Sequence, residues 1–282
     1  MSRKKILITG KGSYIGTSFI KWVSQWPDQY EVEEISVRGE EWKNHDFSKY
    51  DVVLHVAGIA HIKETKANSH IYTEINRDLA FHIAQKAKKE GVKQFVFISS
   101  MSVFGVREGI IKRNSIPNPI SKYGISKLQA EELIKTLEDS RFIIAIVRPP
   151  MVYGKGCKGN YNRLAKLALK LPIFPEFKNQ RSMIFIENLT NFIRLLIDKY
   201  EKGIFLPQNE EYVSTSEMVK LIADFNSKKI KITKVFNPLL KLLSFTSDTF
   251  NKVFGNLTYE KNNSYYCVRS FTDSIRITEE RC

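Results

Sequence analysis

The sequence predicts an α/β fold of the Rossmann type, a doubly wound parallel sheet with a smaller C-terminal α/β lobe. Three observations support this: an N-terminal strand that runs directly into a glycine-rich turn and a helix, an alternation of short apolar runs with helical patterns up to about residue 150, and the loss of that alternation afterwards. We therefore predict a dinucleotide-binding domain over residues 1–150. Residues 151–282 should form mainly a substrate-binding lobe, with some segments returning to the sheet.

The first strand, Lys4–Thr9, is followed at once by a glycine-rich turn and a helical pattern. Glycines suit this turn because the backbone must bend tightly and approach a pyrophosphate, whose charge meets the amides at the start of the helix. A glycine-rich turn alone is a weak signal, but its place in an N-terminal βαβ unit strengthens it. The cofactor-binding candidates here are Gly10, Gly12, Ser13, Tyr14, Ile15 and Gly16.

The second strand is predicted over residues 32–37, so that Arg38 follows its carboxyl end. An acidic residue at this place holds the ribose hydroxyls of NAD, whereas a basic residue suits the 2′-phosphate of NADP. Arg38 is therefore a cofactor-binding candidate that favours NADP. A register shift of two residues would instead restore an acid, since Glu33 and Glu34 lie within the predicted strand. NAD and NADP remain alternatives.

The third strand, residues 51–56, ends on small residues, which let a cofactor pass over the carboxyl end of a parallel strand. The loop before it holds Asp46, which we place at the adenine edge, although an ordinary loop aspartate explains it equally well. His55 and His61 are interpreted as structural or lining residues. The cofactor-binding candidates of this region are Asp46, Phe47, Val56, Ala57 and Gly58.

A long helix is predicted from about residue 69 to residue 90, and it carries Asn76 as a further cofactor-binding candidate. The next strand, residues 94–98, is almost uninterruptedly apolar, as buried parallel strands are. Ser99 and Ser100 stand at its carboxyl end, where ligands bind in open α/β sheets. Together with Ser102, they offer hydroxyls that can hydrogen-bond the same substrate oxygen as Tyr123, and Ser99 is counted with the cofactor-binding candidates.

The most informative stretch is residues 121–127, SKYGISK, which opens a helical pattern that runs to about Glu138. Tyr123 and Lys127 are four residues apart and therefore lie on one helix face. A nearby ammonium lowers the pKa of a tyrosine from about 10, which makes the pair a useful acid/base. A solvated helix face is the alternative, and the upstream glycine turn and serine hydroxyls favour catalysis.

Together these motifs resemble the extended short-chain dehydrogenase/reductase family, in particular its nucleotide-sugar epimerase/dehydratase branch, over nearly the whole chain. The matching segments occur in the family's order: Thr9-Gly10 with Gly16, residues 97–105 (FISSMSVFG), Tyr123 with Lys127, residues 148–154 (RPPMVYG) and residues 181–189 (RSMIFIENL). Pro150, within the fourth segment, is counted with the cofactor-binding residues.

The resemblance implies a role for each matching residue. Tyr123 would be the acid/base, Lys127 its pKa modulator and a ribose ligand, and Ser100 the hydroxyl partner. Asn160 and Arg181 would reach the diphosphate of a nucleotide sugar. The resemblance also implies a homodimer, with a two-fold seam formed by the helices at residues 69–90 and 121–138.

The chain departs from the family's pattern at three places. Ser13 replaces the usual middle glycine, and the acid after the second strand is not obvious. Met101 and Ser102 replace the Asp-Glu pair of the 4,6-dehydratases, so a dehydratase is not expected.

The leading hypothesis is hydride chemistry at C4 of a UDP-hexose, as in a 4-epimerase. The alternative is an NADPH-dependent reductase of a UDP-4-keto-6-deoxy sugar.

Two other classes of function are less consistent with the sequence. A non-catalytic dinucleotide-binding sensor is disfavoured because Ser100, Tyr123 and Lys127 occur together. The apolar segment 236–257 suggests an interaction or membrane-surface protein, but a helix that packs in the small lobe or covers the sugar site explains it better.

Composition sets limits on location and partners. The 282 residues are 43% hydrophobic, as in a globular protein, and no apolar run reaches the roughly 18 residues that span a bilayer. With no signal peptide pattern, we expect a cytoplasmic protein without membrane association. The net charge of +14 comes from cations scattered among acids, so nucleic acid is not an expected partner. Three distant cysteines indicate no disulfide framework, and no metal is expected.

Overall fold

The structure is a computed structural model that describes residues 3–60, 69–235, 255–261 and 265–280. The chain forms two compact units, each built from three segments. The first unit comprises Met1–Gly105, Ile116–Pro149 and Leu189–Pro207, and the second comprises Val106–Ser115, Pro150–Asn188 and Gln208–Cys282.

The first unit holds a six-stranded parallel sheet. Its strands are β1 (Lys4–Thr9), β2 (Tyr30–Ile35), β3 (Val52–His55), β4 (Gln94–Ile98), β6 (Ile143–Val147) and β10 (Gly203–Phe205), in the spatial order β10-β6-β4-β3-β1-β2. β5 (Gly109–Ile111) belongs to the second unit. Because the chain passes from β1 outward to β2 and then returns to β3 on the other side, the strand order reverses between β1 and β3. Ligands of doubly wound sheets bind at such a switch point.

The helices of this unit are α1 (Tyr14–Val23), α2 (Ser69–Tyr72), a π-helical segment (Thr73–Asp78), α3 (Leu79–Lys89), α4 (Lys122–Lys135) and most of α6 (Ile186–Asp198). Short 3₁₀ turns cover Glu41–Asn44 and Met101–Phe104. Every residue of β3 and β4 is buried, which explains why these strands are apolar without alternation.

Two predicted elements differ in the structure. β2 spans Tyr30–Ile35, two residues earlier than predicted, because it pairs with β1 residue for residue from Lys4↔Tyr30 to Thr9↔Ile35 and ends where Gly10 turns away. The helix predicted over residues 69–90 contains the π-helical segment. The Asn76 side chain in this segment holds both main-chain polar groups of Ile59, which explains a local departure from α-helical geometry.

Among its described residues, the second unit has three parallel strand pairs and three helices. β7 (Met151–Tyr153) pairs with β9 (Met183–Phe185), β8 (Ile173–Pro175) with β11 (Lys231–Thr233), and β5 (Gly109–Ile111) with β12 (Leu257–Tyr259). The helices are α5 (Asn160–Lys170), α7 (Thr215–Phe225) and α8 (Phe271–Glu279). Most of the predicted apolar segment, residues 236–254, lies outside the described residues. Within the described part of the chain, no helix has the length and apolarity needed to cross a membrane.

Candidate active site

The glycine turn after β1 brings the backbone unusually close to the turn after β3. Gly10 has φ +125°, and a Cβ at this position would lie 2.9 Å from the amide nitrogen of Ala57. A Cβ at Gly16 would lie 3.0 Å from a methyl carbon of Ile8, so this glycine allows α1 to pack on β1. A side chain at either position would block the approach, so the turn fits the backbone cradle that a pyrophosphate needs.

Helix α1 begins directly behind this cradle. Ser13 is its N-cap, and the Ser13 hydroxyl accepts a hydrogen bond of 3.2 Å from the amide of Gly16. Tyr14 and Ile15 form the first turn of α1 and are half-buried. Ser13 therefore takes over a capping role at the position where the family's pattern has a glycine. The positive end of the helix dipole lies behind the glycine turn, as dinucleotide sites require.

The carboxyl end of β2 carries an acid next to the glycine turn. Glu34 Oε2 accepts a hydrogen bond of 3.1 Å from the amide of Gly12. The two-residue shift of β2 produces this contact, because Glu34 is now the penultimate residue of the strand. Arg38 lies three residues beyond the end of the strand and is exposed, and its amide donates to the Ser36 hydroxyl over 3.3 Å.

Asp46 and Phe47 have different surroundings. Asp46 is exposed, and hydrogen bonds from the hydroxyl and amide of Ser48 lower the pKa of its carboxyl group. Phe47 is fully buried in the hydrophobic core, and its amide donates to Glu90 Oε2 over 2.6 Å. The core therefore encloses the Phe47 ring, and a cofactor contact by Phe47 stays a prediction.

The Ser100 hydroxyl and the Tyr123 phenol meet at the carboxyl end of β4. Ser100 caps the 3₁₀ turn Met101–Phe104, and its hydroxyl accepts a 3.1 Å hydrogen bond from the amide of Ser102. It also forms a hydrogen bond with the phenol of Tyr123, which lies in the first turn of α4. The ring of Tyr72 packs edge-on against that of Tyr123, with 6.4 Å between the ring centroids. The predicted hydroxyl pair is thus brought together.

Lys127 lies one turn further along α4 and is buried, with 4% of its surface exposed. Its Nζ donates to the main-chain carbonyl of Ile98 over 2.9 Å and lies 4.6 Å above the centroid of the Phe97 ring. Burial lowers the pKa of Lys127 to about 8, and the charge of Glu131 opposes this shift. A lysine in this state is close to its protonation midpoint at mildly alkaline pH.

The expected lowering of the Tyr123 pKa by Lys127 is not what the structure shows. Burial raises the pKa of Tyr123, and the hydrogen bond with Ser100 lowers it by a smaller amount. The Lys127 ammonium donates its hydrogen bond to the carbonyl of Ile98. Desolvation therefore outweighs the stabilisation of the phenolate by the Ser100 hydroxyl.

Asn76 connects the π-helical segment to the loop after β3 and to α4. Its Oδ1 accepts from the amide of Ile59 over 2.9 Å, and its Nδ2 donates to the Ile59 carbonyl over 3.0 Å and to the Ser126 hydroxyl over 3.1 Å. A Cβ at Gly58 would lie 3.0 Å from Asn76 Oδ1 and 3.2 Å from Lys127 Nζ. Gly58, Asn76 and Lys127 are therefore immediate neighbours. All three are predicted to bind the cofactor, and one ligand could contact them together.

His55, at the end of β3, is fully buried between the rings of Phe95 and Phe97. Its Nδ1 lies 2.7 Å from the hydroxyl of Thr9, and its Nε2 has no hydrogen-bond partner among the described residues. Burial lowers the pKa of His55 to about 3, and the charge of Lys127 adds to the shift. His55 is thus a neutral structural residue, as interpreted from the sequence. Val56 and Ala57 follow it, and their amides donate to the carbonyl of Thr9.

The remaining predicted residues lie in the second unit. Pro150 is buried, and Asn160 is the first residue of α5 and half-buried. Arg181 Nη1 donates to the carbonyl of Gly255 over 2.9 Å, and burial lowers the pKa of Arg181 to about 10. Burial of a guanidinium costs free energy unless the charged group is paired and hydrogen-bonded.

Sequence reasoning missed two charged residues behind the site, Glu131 and Arg148. Glu131 is fully buried, and it receives hydrogen bonds from Ser99 and from Arg148. The four-residue spacing from Lys127 to Glu131 on α4 was the available signal, because it places both side chains on one helix face.

The parallel sheet, the glycine cradle and the Ser–Tyr–Lys cluster define a dinucleotide-dependent enzyme of the short-chain dehydrogenase/reductase class. A family model described as "NAD dependent epimerase/dehydratase family" matches residues 6–208. The chain belongs to this family.

Individual relatives support the assignment. The chain is 33% identical over 250 residues to a UDP-glucose 4-epimerase of Vibrio cholerae. The aligned region covers 78% of this chain and 75% of the relative. The fold is similar to that of UDP-glucuronic acid 4-epimerase from Bacillus cereus in complex with NAD, with a TM-score of 0.75, 18% identity, and coverage of 98% and 97% of the two chains. It is also similar to dTDP-4-dehydrorhamnose reductase from Bacillus anthracis in complex with NADP, with a TM-score of 0.73, 19% identity and 98% of both chains covered.

These findings confirm the predicted family and the Rossmann-type fold class. They also confirm the prediction of an NAD(P)-dependent enzyme of the sugar-nucleotide epimerase and reductase type.

Proposed function

We propose that this enzyme is a UDP-hexose 4-epimerase that oxidises the C4 hydroxyl and returns the hydride to the opposite face of C4. The observation that carries the proposal is the hydrogen bond between Ser100 and Tyr123 at the carboxyl end of β4, next to Lys127. Such a pair can hold one sugar oxygen and exchange its proton. The similarity to a UDP-glucose 4-epimerase supports C4 as the reacting carbon.

Each residue has a defined task in this proposal. A bound nicotinamide supplies the hydride acceptor and donor. As the phenolate, Tyr123 would take the proton from the C4 hydroxyl as the C4–H bond breaks, and would give it back when the alcohol re-forms. Ser100 donates a hydrogen bond to the same oxygen and so holds it against the phenol. Lys127 and Asn76 hold the ribose side of the cofactor, and the ammonium supplies a positive charge to the site.

The remaining parts of the proposal concern ligands and assembly. The glycine turn, Val56–Gly58, Ser99 and Pro150 are proposed to line the dinucleotide. Asn160 and Arg181 are proposed to bind the diphosphate of the UDP-sugar, because a partly buried guanidinium is suited to a charge-assisted phosphate contact. We expect a cytoplasmic homodimer.

A second candidate function is the NADPH-dependent reduction of a UDP-4-keto-6-deoxy sugar. Arg38 favours it, because its exposed guanidinium follows β2, where a 2′-phosphate would be read. The same Ser100–Tyr123 pair would protonate the C4 oxygen once. Glu34 at Gly12 favours the epimerase, since a carboxylate suits ribose hydroxyls.

The test follows the hydrogen at C4. We would incubate the protein with NAD and UDP-hexoses deuterated at C4, in ordinary water, and follow both C4 epimers by NMR. A 4-epimerase interconverts the epimers and retains the deuterium, because the hydride never exchanges with solvent. NADPH consumed stoichiometrically by a 4-keto sugar, without interconversion of any UDP-hexose, would replace the epimerase by the reductase.

A further inference from the structure

A buried polar cluster lies directly behind Lys127 and consists of Ser99, Glu131 and Arg148. Their exposed fractions are 3%, 0% and 4%. Arg148 Nε donates to Glu131 Oε1 over 3.0 Å and to Oε2 over 3.2 Å, and its Nη2 donates to Oε2 over 2.5 Å. The Ser99 hydroxyl donates to Oε1. Both carboxylate oxygens are therefore saturated inside the protein.

The cluster is continuous with the Lys127 site. Glu131 follows Lys127 by one turn of α4, and Ser99 follows Ile98, whose carbonyl accepts the hydrogen bond from Lys127 Nζ. Arg148 comes directly after β6. One carboxylate thus fixes the helix that carries Tyr123 and Lys127 to the ends of two neighbouring strands. A buried ion pair is a weak source of stability, because desolvation offsets its attraction, so a functional reason is expected for it.

We propose that Glu131, held by Arg148, is a positioning residue that keeps the Lys127 ammonium charged and directed at the Ile98 carbonyl. The relevance of this to catalysis rests on the proposed function of Lys127, but the effect on Lys127 itself does not. Without the carboxylate, α4 would lose its anchor to Ser99, and two cations, Lys127 and Arg148, would remain buried without an anion.

Other charges near α4 do not replace Glu131. His55 carries no charge at neutral pH, since its pKa is about 3. Burial raises the pKa of Tyr123, and Asn76 and Phe97 carry no charge. Three cations on the π-helical segment and α3 form ion pairs of their own, namely Arg77 with Asp78, Lys86 with Glu90 and Lys88 with Asp139.

The experiment measures the titration of Lys127 in the full chain without substrate. The protein is labelled with ¹³C at the lysine ε-carbon, and the Lys127 signal is assigned by its loss in Lys127→Arg. In Glu131→Gln we expect Lys127 to titrate about one pH unit lower than in the wild type. Glu132→Gln is the matched control, because Glu132 is the exposed neighbour on the same helix, and it should titrate as the wild type does.

A second variant covers the case in which Glu131→Gln does not fold. Glu131→Gln combined with Arg148→Gln removes both charges and keeps amide groups of similar shape, and Lys127 should titrate between the wild type and the single variant. An unchanged Lys127 titration in whichever variant folds would overturn the proposal. Epimerase activity is measured separately as a function of pH. The alkaline limb of this pH profile should shift to lower pH together with the titration of Lys127. Absence of turnover in the wild type would refute only the proposed function.

Discussion

Glu34 accepts a hydrogen bond from the main-chain amide of Gly12, across 3.1 Å, at the point where β2 passes the glycine turn. A carboxylate here can hold two ribose hydroxyls, but it repels a 2′-phosphate. Arg38, the other candidate for reading the ribose, is exposed three residues past the strand end. The geometry therefore favours NAD over NADP.

The first prediction concerns this choice. The wild type should bind NADH at least 10-fold more tightly than NADPH, which corresponds to about 1.4 kcal/mol. Glu34→Gln should reduce the preference, because the charge that repels phosphate is gone, while Arg38→Ala should change NADH binding little. Fluorescence titration gives both dissociation constants, and Glu31→Gln, an exposed acid on the same strand, is the control. A preference for NADPH that disappears in Arg38→Ala would show that Arg38 recognises the 2′-phosphate of the ribose.

The second prediction concerns the proton carrier. Tyr123→Phe should lower kcat by a factor of about 100 or more, since only the exchangeable proton is removed, and Ser100→Ala should lower it by a smaller factor. NADH affinity should stay near that of the wild type in both. Ser102→Ala is the control, because Ser102 is exposed and contacts Ser100 through its amide. Normal turnover in Tyr123→Phe would remove this residue from the mechanism.

The third prediction tests Arg181. Arg181→Ala should raise KM for the UDP-sugar by 10-fold or more and leave the dissociation constant of NADH unchanged, because a charge-assisted phosphate contact is lost. Arg163→Ala, which removes an exposed guanidinium of the second unit, should change neither constant. If Arg181→Ala weakened both ligands equally, its effect would be structural.

The fourth prediction concerns stability in acid. His55 has a pKa of about 3 in the folded protein and about 6.5 when unfolded, so between these values the unfolded chain binds the additional proton. Its contribution to stability is complete above pH 6.5 and is lost as the pH falls towards 3, by up to about 1.4 kcal/mol per pH unit. Urea unfolding at several pH values should show a flatter acid slope in His55→Gln than in the wild type. His82→Gln, at an exposed position of α3, should keep the wild-type slope.

The sequence was sufficient for the features that depend on local pattern. The glycine turn, the buried strand before Ser99 and the helix of Tyr123 could all be placed, because backbone shape and burial constrain those residues. The end of β2 lies two residues before its predicted place, since β1 sets its register through long-range pairing and the edge strand contains exposed acids. The rise in the Tyr123 pKa could not be read either, because desolvation depends on packing by residues distant in sequence, such as Tyr72.

The first unit is assembled from three separate stretches of chain, and this affects the order in which it can form. β10, which pairs with β6, is synthesised only after the intervening segment Pro150–Asn188 of the second unit. During translation β6 is therefore an open sheet edge, with unpaired main-chain groups, until residue 205 has emerged. A fragment cut at residue 150 would keep this edge permanently and would be prone to self-association, so an expression strategy for the nucleotide-binding part has to carry the chain through Pro207.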